Sequence, residues 1–525
     1  MRKRSSAQWS VPTDRAAYRW LVLGSLLSLI VCLITMLPSG ASAAPAGSRA
    51  TTIGKTTSTQ IENYVQQQAS AFHIPGTALG IVDGSQPALM TGFGNTTADT
   101  PFFLNSIGKS FTALAIMQLV DQAKVSLDAP VTTYIPWFKI GDGSESRSIT
   151  VLQLLDQTSG LSTQAGLTSL HFTPATTYVQ AIEGFETFPL TARPGTLFQY
   201  SNANYSIVGY IIQQVSGQSY TSYVQQHIFA PLAMTHTYAM SGTVSAPGLT
   251  PGNLSWFGLI SQPVTDTVAA PIVPEGEGFI SNVPDMTHYL IAQMNGGVYN
   301  GTRIVSAKAM QEMHAPLSPP AAPGLIPEPD ATSYGMGWGV GTISGQPVLV
   351  HGGQSHDYDA WMAILPEQQI AVIVLMNQQP QFLISYDAQL YGGVMQGITT
   401  GTFPSIGQAF HVFYGVFDAI VLATLLLMIY SFWRTGRWVQ KFRGRARRIG
   451  FWWAAARAIV LDLAIAALLA VAVVYGLGSL FGIAPLTPAF MYYGAPDLAA
   501  WVYAIILFFP VRSVVRMIVI ASRGT

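Results

Sequence analysis

Four long apolar runs stand at the two ends of the chain. They cover residues 20–37, 410–433, about 452–483 and about 498–520. A bilayer core about 30 Å thick needs roughly 20 apolar residues in a helix, so each run has close to a spanning length. Between them the pattern shortens and alternates. Residues 77–82 and 87–92 flank Asp83-Gly84, residues 339–343 and 347–350 flank Ser344-Gly345, and residues 361–365 and 370–375 flank Pro366-Glu367. Each pair reads as a β-hairpin around a turn. Helical patterns fill the interior over 106–122, 204–216 and 285–295, and a last one covers 382–398. Strands at both ends, helices between and a helix last predict an α+β domain. Its antiparallel sheet is completed by both ends of the domain, and helices pack on its faces.

Charge refines the division. The whole chain of 525 residues has a formal net charge of zero and is 49% hydrophobic and only 10% charged. Residues 44–405 hold 9 Lys/Arg and 21 Asp/Glu, whereas the two ends hold 16 and 4. An acidic middle between basic, apolar ends excludes a nucleic-acid binder and points to a lipid bilayer as partner. Arg2, Lys3, Arg4, Arg15 and Arg19 precede the first run and Ala41-Ser42-Ala43 follows it, so residues 1–43 read as a signal peptide or an N-terminal membrane anchor. Residues 44–59, mostly small and polar, read as a flexible linker, 60–405 as the folded domain, and 406–525 as a membrane region of about three helices. Arg434, Arg437, Lys441, Arg443, Arg445, Arg447 and Arg448 follow the first of these, and Arg512, Arg516 and Arg523 end the third. A multi-pass chain with its folded domain on the extracytoplasmic side puts every basic cluster inside. In that topology Arg512 and Arg516 snorkel or mark the cytoplasmic boundary. Two spans and an interfacial tail is the rival arrangement. The one cysteine, Cys32, lies in the first apolar run, which excludes an intrachain disulfide and a Cys-based metal site.

Three short motifs carry chemistry. Ser106-Ile107-Gly108-Lys109 opens an apolar helix, and it is the one S-x-x-K among seven lysines. Spacing of three puts both side chains on one helix face. A serine hydroxyl needs a base, and a lysine serves when burial and positive neighbours depress its pKa. Tyr200-Ser201-Asn202 lies just before the next helix. A loop tyrosine relays protons, and an asparagine amide holds a lysine or a substrate carbonyl; packing and helix capping explain the same pair. His351-Gly352-Gly353 follows the strand at 347–350. The glycines let a substrate lie against the strand edge. The amide of Gln354 pairs with that of Ser106 as a candidate oxyanion hole. Here the plain alternative is a strand-end turn with an exposed histidine.

In this order the three motifs resemble those of the serine beta-lactamase and penicillin-binding-protein superfamily, closest to its class C branch, where Tyr-x-Asn is the second motif. Thr158-Ser159-Gly160-Leu161, Pro231-Leu232-Ala233-Met234, Gly276-Glu277-Gly278-Phe279-Ile280-Ser281 and Tyr334-Gly335-Met336-Gly337-Trp338 add to the likeness, which covers about residues 60–398. The resemblance implies a beta-lactamase/transpeptidase-like fold and a serine hydrolase working through an acyl-enzyme. Ser106 is then the nucleophile, and Lys109 and Tyr200 share its proton. Asn202, His351, Gly352, Gly353 and Gln354 bind substrate, with no cofactor and no metal. The substrate class is a small molecule or a peptide, cell-wall peptides among them. Three departures stand out, one of them Gln354-Ser355-His356-Asp357 in place of the usual small-residue run. His351 replaces the Lys of K-T-G, which pairs with a substrate carboxylate, and Gln157 stands where a His is common. A histidine near its ordinary pKa is mostly neutral at pH 7 and holds a carboxylate less tightly. That tilts the expectation from beta-lactams toward esters, amides or D-amino-acid peptides. A true class C beta-lactamase and a non-catalytic sensor of wall peptides are the alternatives. G-x-S-x-G and H-E-x-x-H are both absent. His351, His356, Asp357 and Asp359 read as loop residues rather than metal ligands.

Overall fold

The computed structural model describes residues 55–522, except 142, 144–145, 168–176, 240–245, 265–277, 322–325, 327–329, 379–386, 406–407, 436, 441, 443–450, 478–490 and 493. The N-terminal apolar run, most of the linker and much of the basic 434–448 loop thus lie outside the described residues.

A seven-stranded antiparallel sheet forms the centre. Its strands are β1 (Gly76–Asp83), β2 (Gln86–Gly94), β3 (Ala331–Tyr334), β4 (Gly339–Ile343), β5 (Gln346–Gln354), β6 (Asp359–Leu365) and β7 (Ile370–Met376). They run in the order β3-β4-β5-β6-β7-β1-β2, so both ends of the domain meet at β7 and β1, in register from Thr77↔Met376 to Asp83↔Ile370. The three expected hairpins are present. Ser344 and Gly345 turn with φ of +49° and +77°, the left-handed pair that a two-residue hairpin loop requires.

Alternation assigns the faces. Ala78, Val82, Leu349, Ala360, Met362, Ile373 and Leu375 point into one core. Leu79, Ile81, Val350, Trp361, Ala363, Val372 and Val374 point into the other. The first core takes its helices from the middle of the chain: α2 (Gly108–Asp121), α3 (Asn202–Ser216) and α4 (Val283–Met294). The second takes α1 (Lys55–Ala71) and α5 (Asp387–Thr400). Helix α1 shortens the expected linker. Ile61, Tyr64, Val65, Gln68 and Phe72 are buried at helical spacing, a stripe that its polar sequence obscures.

The second core continues into the C-terminal helices. Phe410, Tyr414, Phe417 and Val421 of α6 (Gln408–Trp433) and Leu498, Ala499, Trp501 and Val502 of α8 (Pro496–Ser522) belong to it. The rings of Phe72 and Phe410 meet edge to face at 4.9 Å. Segments Phe410–Trp433 and Pro496–Val519 are long and apolar enough to cross a membrane, and most of each faces outward. Helix α7 (Phe451–Val471), continued by a π-helical stretch at Ala472–Leu477, packs along α8. Its apolar part, Ile459–Tyr475, is shorter than either span. Arg512 and Arg516 near the end of α8 meet a carboxylate. Arg512 Nη2 donates to Asp462 Oδ1 at 2.5 Å, Ser513 Oγ to Oδ2 at 2.8 Å, and Arg516 Nη1 to Oδ2 at 3.3 Å. In apolar surroundings an opposite charge is the cheaper solution, and α7 supplies it.

Candidate active site

Ser106 sits where a short 3-10 turn, Asn105–Ile107, runs into α2. Asn105, buried, holds a left-handed φ of +49°. The turn presents Ser106, partly exposed, beside a fully buried Lys109. Lys109 Nζ lies 2.9 Å from Ser106 Oγ. It also lies 5.1 Å from the ring centre of Tyr200 and 6.0 Å from that of Tyr205. The spacing expected of S-x-x-K brings the hydroxyl and the amine together, and the loop before α3 adds the tyrosine to the cluster. Gly337, with φ +75°, rests its backbone on α2: a Cβ there would stand 2.6 Å from Ser110 Cα and 2.8 Å from the Lys109 carbonyl oxygen.

Asn202 is the first residue of α3, behind Ser201 at the N-cap. Its Oδ1 is buried and has no hydrogen-bond partner among the described residues. The loop before it hangs on Gln157. That buried residue, at φ +63°, accepts from Ser201 N at 3.0 Å and Asn204 Nδ2 at 2.6 Å through Oε1, and its carbonyl accepts from Gln199 N at 2.8 Å. The departure noted at Gln157 is thus a neutral support for the Tyr200-Ser201-Asn202 loop.

His351, Gly352 and Gly353 are not a turn. Strand β5 continues through them to Gln354, pairing His351 with Met362 and Gly353 with Ala360 on β6. Alternation puts His351 and Gly353 on the face of Leu349, toward α2. A Cβ on Gly353 would collide with the Leu104 carbonyl and stand 2.9 Å from Ser106 N. Glycine is what lets the strand end lie against the Ser106 turn. Gly353→Ala is therefore expected to push that turn away and lower kcat/KM for an ester substrate by about 100-fold, the cost of roughly 1 Å of misplacement. Steady-state kinetics of a variant shown to fold by circular dichroism checks this.

His351 is fully buried, not an exposed strand-end residue. Its Nδ1 lies 2.7 Å from the Gly352 carbonyl and its Nε2 lies 2.8 Å from Tyr334 Oη. A carbonyl only accepts, so Nδ1 carries the proton and Nε2 accepts from the tyrosine hydroxyl. Burial, together with the charge of Lys109, pulls its pKa down to about 3. The expectation of a histidine near its ordinary pKa is corrected: the imidazole is neutral throughout the physiological range. Tyr334, a site residue by this contact, carries no signal of its own in the sequence beyond lying in the matching stretch Tyr334 to Trp338. The other candidate loop residues go elsewhere. His356 Nε2 lies 3.6 Å from Asp357 Oδ1, and Asp359 Oδ2 accepts from Tyr391 Oη at 2.7 Å. Among the described residues no three His, Cys, Asp or Glu side chains gather as a metal set.

Known proteins are similar to this chain. Residues 61–391 match the family model described as Beta-lactamase. Protein flp of Staphylococcus aureus (strain MW2) is 26% identical over 406 residues, covering 73% of this chain and 75% of its own. Penicillin-binding protein 4 of Amycolatopsis lactamdurans is 26% identical over 317 residues, 58% of this chain and 81% of its own. A D-stereospecific amidohydrolase from Streptomyces sp. superposes with a TM-score of 0.53 at 25% identity, covering 65% of this chain and 99% of its own. With its antiparallel sheet, its helical core and a match spanning most of the chain, the protein belongs to the beta-lactamase family, within the serine beta-lactamase and penicillin-binding-protein superfamily of serine hydrolases.

Proposed function

We propose that this chain is a membrane-tethered, extracytoplasmic serine hydrolase that acts through an acyl-enzyme on esters, amides or peptides lacking an obligatory carboxylate. The observation that carries the reading is the 2.9 Å contact between the buried Lys109 amine and Ser106 Oγ. In its neutral form Lys109 takes the hydroxyl proton as Ser106 attacks the acyl carbon. The Ser106 amide, with that of Gln354 at the end of β5, receives the developing oxyanion. Tyr200, beside the amine, passes a proton to the leaving group and later draws one from the water that releases the acyl chain. Asn202 holds the substrate carbonyl side. The two candidate spans and the inside-positive charge distribution support the tether and its orientation.

The neutral His351 supports the choice of substrate. A cation at this position contributes roughly 1.5–3 kcal/mol to a carboxylate as a charge-assisted hydrogen bond, about one to two decades in affinity. Neutral p-nitrophenyl esters and D-amino-acid amides are therefore expected to outrun nitrocefin in kcat/KM. His351→Lys is expected to shift that ratio toward nitrocefin by about tenfold or more. Lowering the pH from 7 to 5 is expected to leave the ratio unchanged, because His351 does not take a proton until about pH 3. A wild type that turns over nitrocefin as well as its best ester contradicts this substrate assignment.

A further inference from the structure

A small hairpin lies between the catalytic site and the apolar helices. Its strands, Asn253–Trp256 and Ile260–Pro263, pair from Asn253↔Pro263 to Trp256↔Ile260. The tip holds Phe257 and Gly258 at φ of +56° and +61°. It is pinned to both candidate spans at their first turns. Phe257 N donates to Asp497 Oδ2 of α8 at 3.0 Å, and Asp497 is fully buried. A Cβ on Gly258 would stand 2.7 Å from Tyr414 Cγ and 3.1 Å from Phe410 Cζ of α6. Yet the next two side chains, Leu259 and Ile260, are 61% and 60% exposed. Two large apolar side chains held out by a tightly pinned tip are not a folding core.

Their surroundings identify what covers them. Val412 and Val416, flanking Tyr414 on the outward side of α6, are 67% and 50% exposed, so apolar side chains also face outward on α6 beside the level of the hairpin. At its other end the hairpin reaches the active site. Asn253 N donates to the Asp357 carbonyl at 3.1 Å, and Tyr358 Oη donates to the Thr250 carbonyl. The Tyr358 ring stands 5.1 Å from that of Phe103, just before the nucleophile turn.

We propose that Leu259 and Ile260 enter the lipid interface where α6 and α8 leave the folded domain, and that the hairpin holds the Ser106 site at the bilayer surface. The partner is the outer rim of the bilayer itself, where acyl chains begin below the headgroups. This rests on the reading of α6 and α8 as membrane spans. An apolar finger at the level of the span ends lowers its free energy by leaving water. The pinning by Asp497 fixes it against the helices so that it cannot fold back.

The test uses the full chain in nanodiscs of phosphatidylcholine and phosphatidylglycerol, with Cys32→Ser removing the one native thiol. An environment-sensitive fluorophore is placed at Leu259→Cys, Ile260→Cys, Leu426→Cys and Lys124→Cys in turn. Leu426 is 56% exposed on α6 and reports on the span itself, and Lys124 is an exposed polar control. Lipids carrying a nitroxide near the headgroup are expected to quench the labels at 259 and 260, and lipids carrying it deep in the chain to quench the label at 426. Lys124 is expected to be quenched by neither. Quenching at 426 with labels at 259 and 260 that behave like Lys124 overturns the hairpin assignment and leaves the spans standing. A label at 426 that no lipid quenches overturns both.

Discussion

Ser106→Ala is expected to remove hydrolysis and covalent labelling by a fluorophosphonate together. The loss should reach about four to six orders of magnitude in kcat, the scale seen when a nucleophile that works as a unit with its base is deleted. The fold should survive. The hydroxyl lies at the partly exposed head of a 3-10 turn, and the first core that holds α2 does not depend on it. Leaving the Lys109 amine without its 2.9 Å partner costs stability of about 1–3 kcal/mol at most. Lys109→Met, which keeps the length of the side chain and removes the base, is expected to lower acylation by about 10²- to 10⁴-fold. Stopped-flow acylation by a p-nitrophenyl ester, read beside thermal unfolding, separates lost chemistry from lost fold. A Ser106→Ala protein with wild-type turnover removes the mechanism.

The second large effect is expected in the apolar helices. Asp462→Ala removes the carboxylate to which Arg512, 3% exposed, and Arg516 both donate. Breaking a buried pair by deleting one member costs about 3–5 kcal/mol, because the remaining charge is left without compensation. The thermal midpoint of the detergent-solubilised chain should fall accordingly. Replacing both Asp462 and Arg512 by leucine is expected to recover most of that loss, since an apolar pair of similar volume packs as well as the ions. If Asp462→Ala leaves the midpoint unmoved, α7 and α8 are not held together as described.

The sheet was legible because period-2 alternation and turn residues lie side by side in the sequence. The 339–343 strand was found to the residue, and the meeting of both ends of the domain followed from the order of elements. Strand β5 was cut short at Val350, with the two glycines after His351 read as room for a substrate at the strand edge. Their actual reason is spatial: Gly353 lies against Leu104 and Ser106, which are distant in sequence. Helix α1 was hidden by the polar composition around its buried stripe. The hairpin at Asn253–Pro263 has only a faint local signal, Phe257-Gly258-Leu259 between two short pairing segments. The chemistry was legible where it is local. Ser106 and Lys109 are neighbours through helix geometry alone. The state of His351 was not, because it depends on Tyr334 and on burial under a folded sheet. The pairing of Asp462 with Arg512 likewise joins two helices whose charges look, in sequence, like separate boundary markers.

The central claim is that Ser106 carries an acyl group during turnover. Intact mass spectrometry of the wild-type chain, quenched in acid within a turnover of a slowly released ester, tests it directly. The account predicts a mass increase equal to one acyl group, mapped by peptide digestion to the segment containing Ser106. An unmodified chain while product accumulates, or an acyl group on another residue, contradicts it.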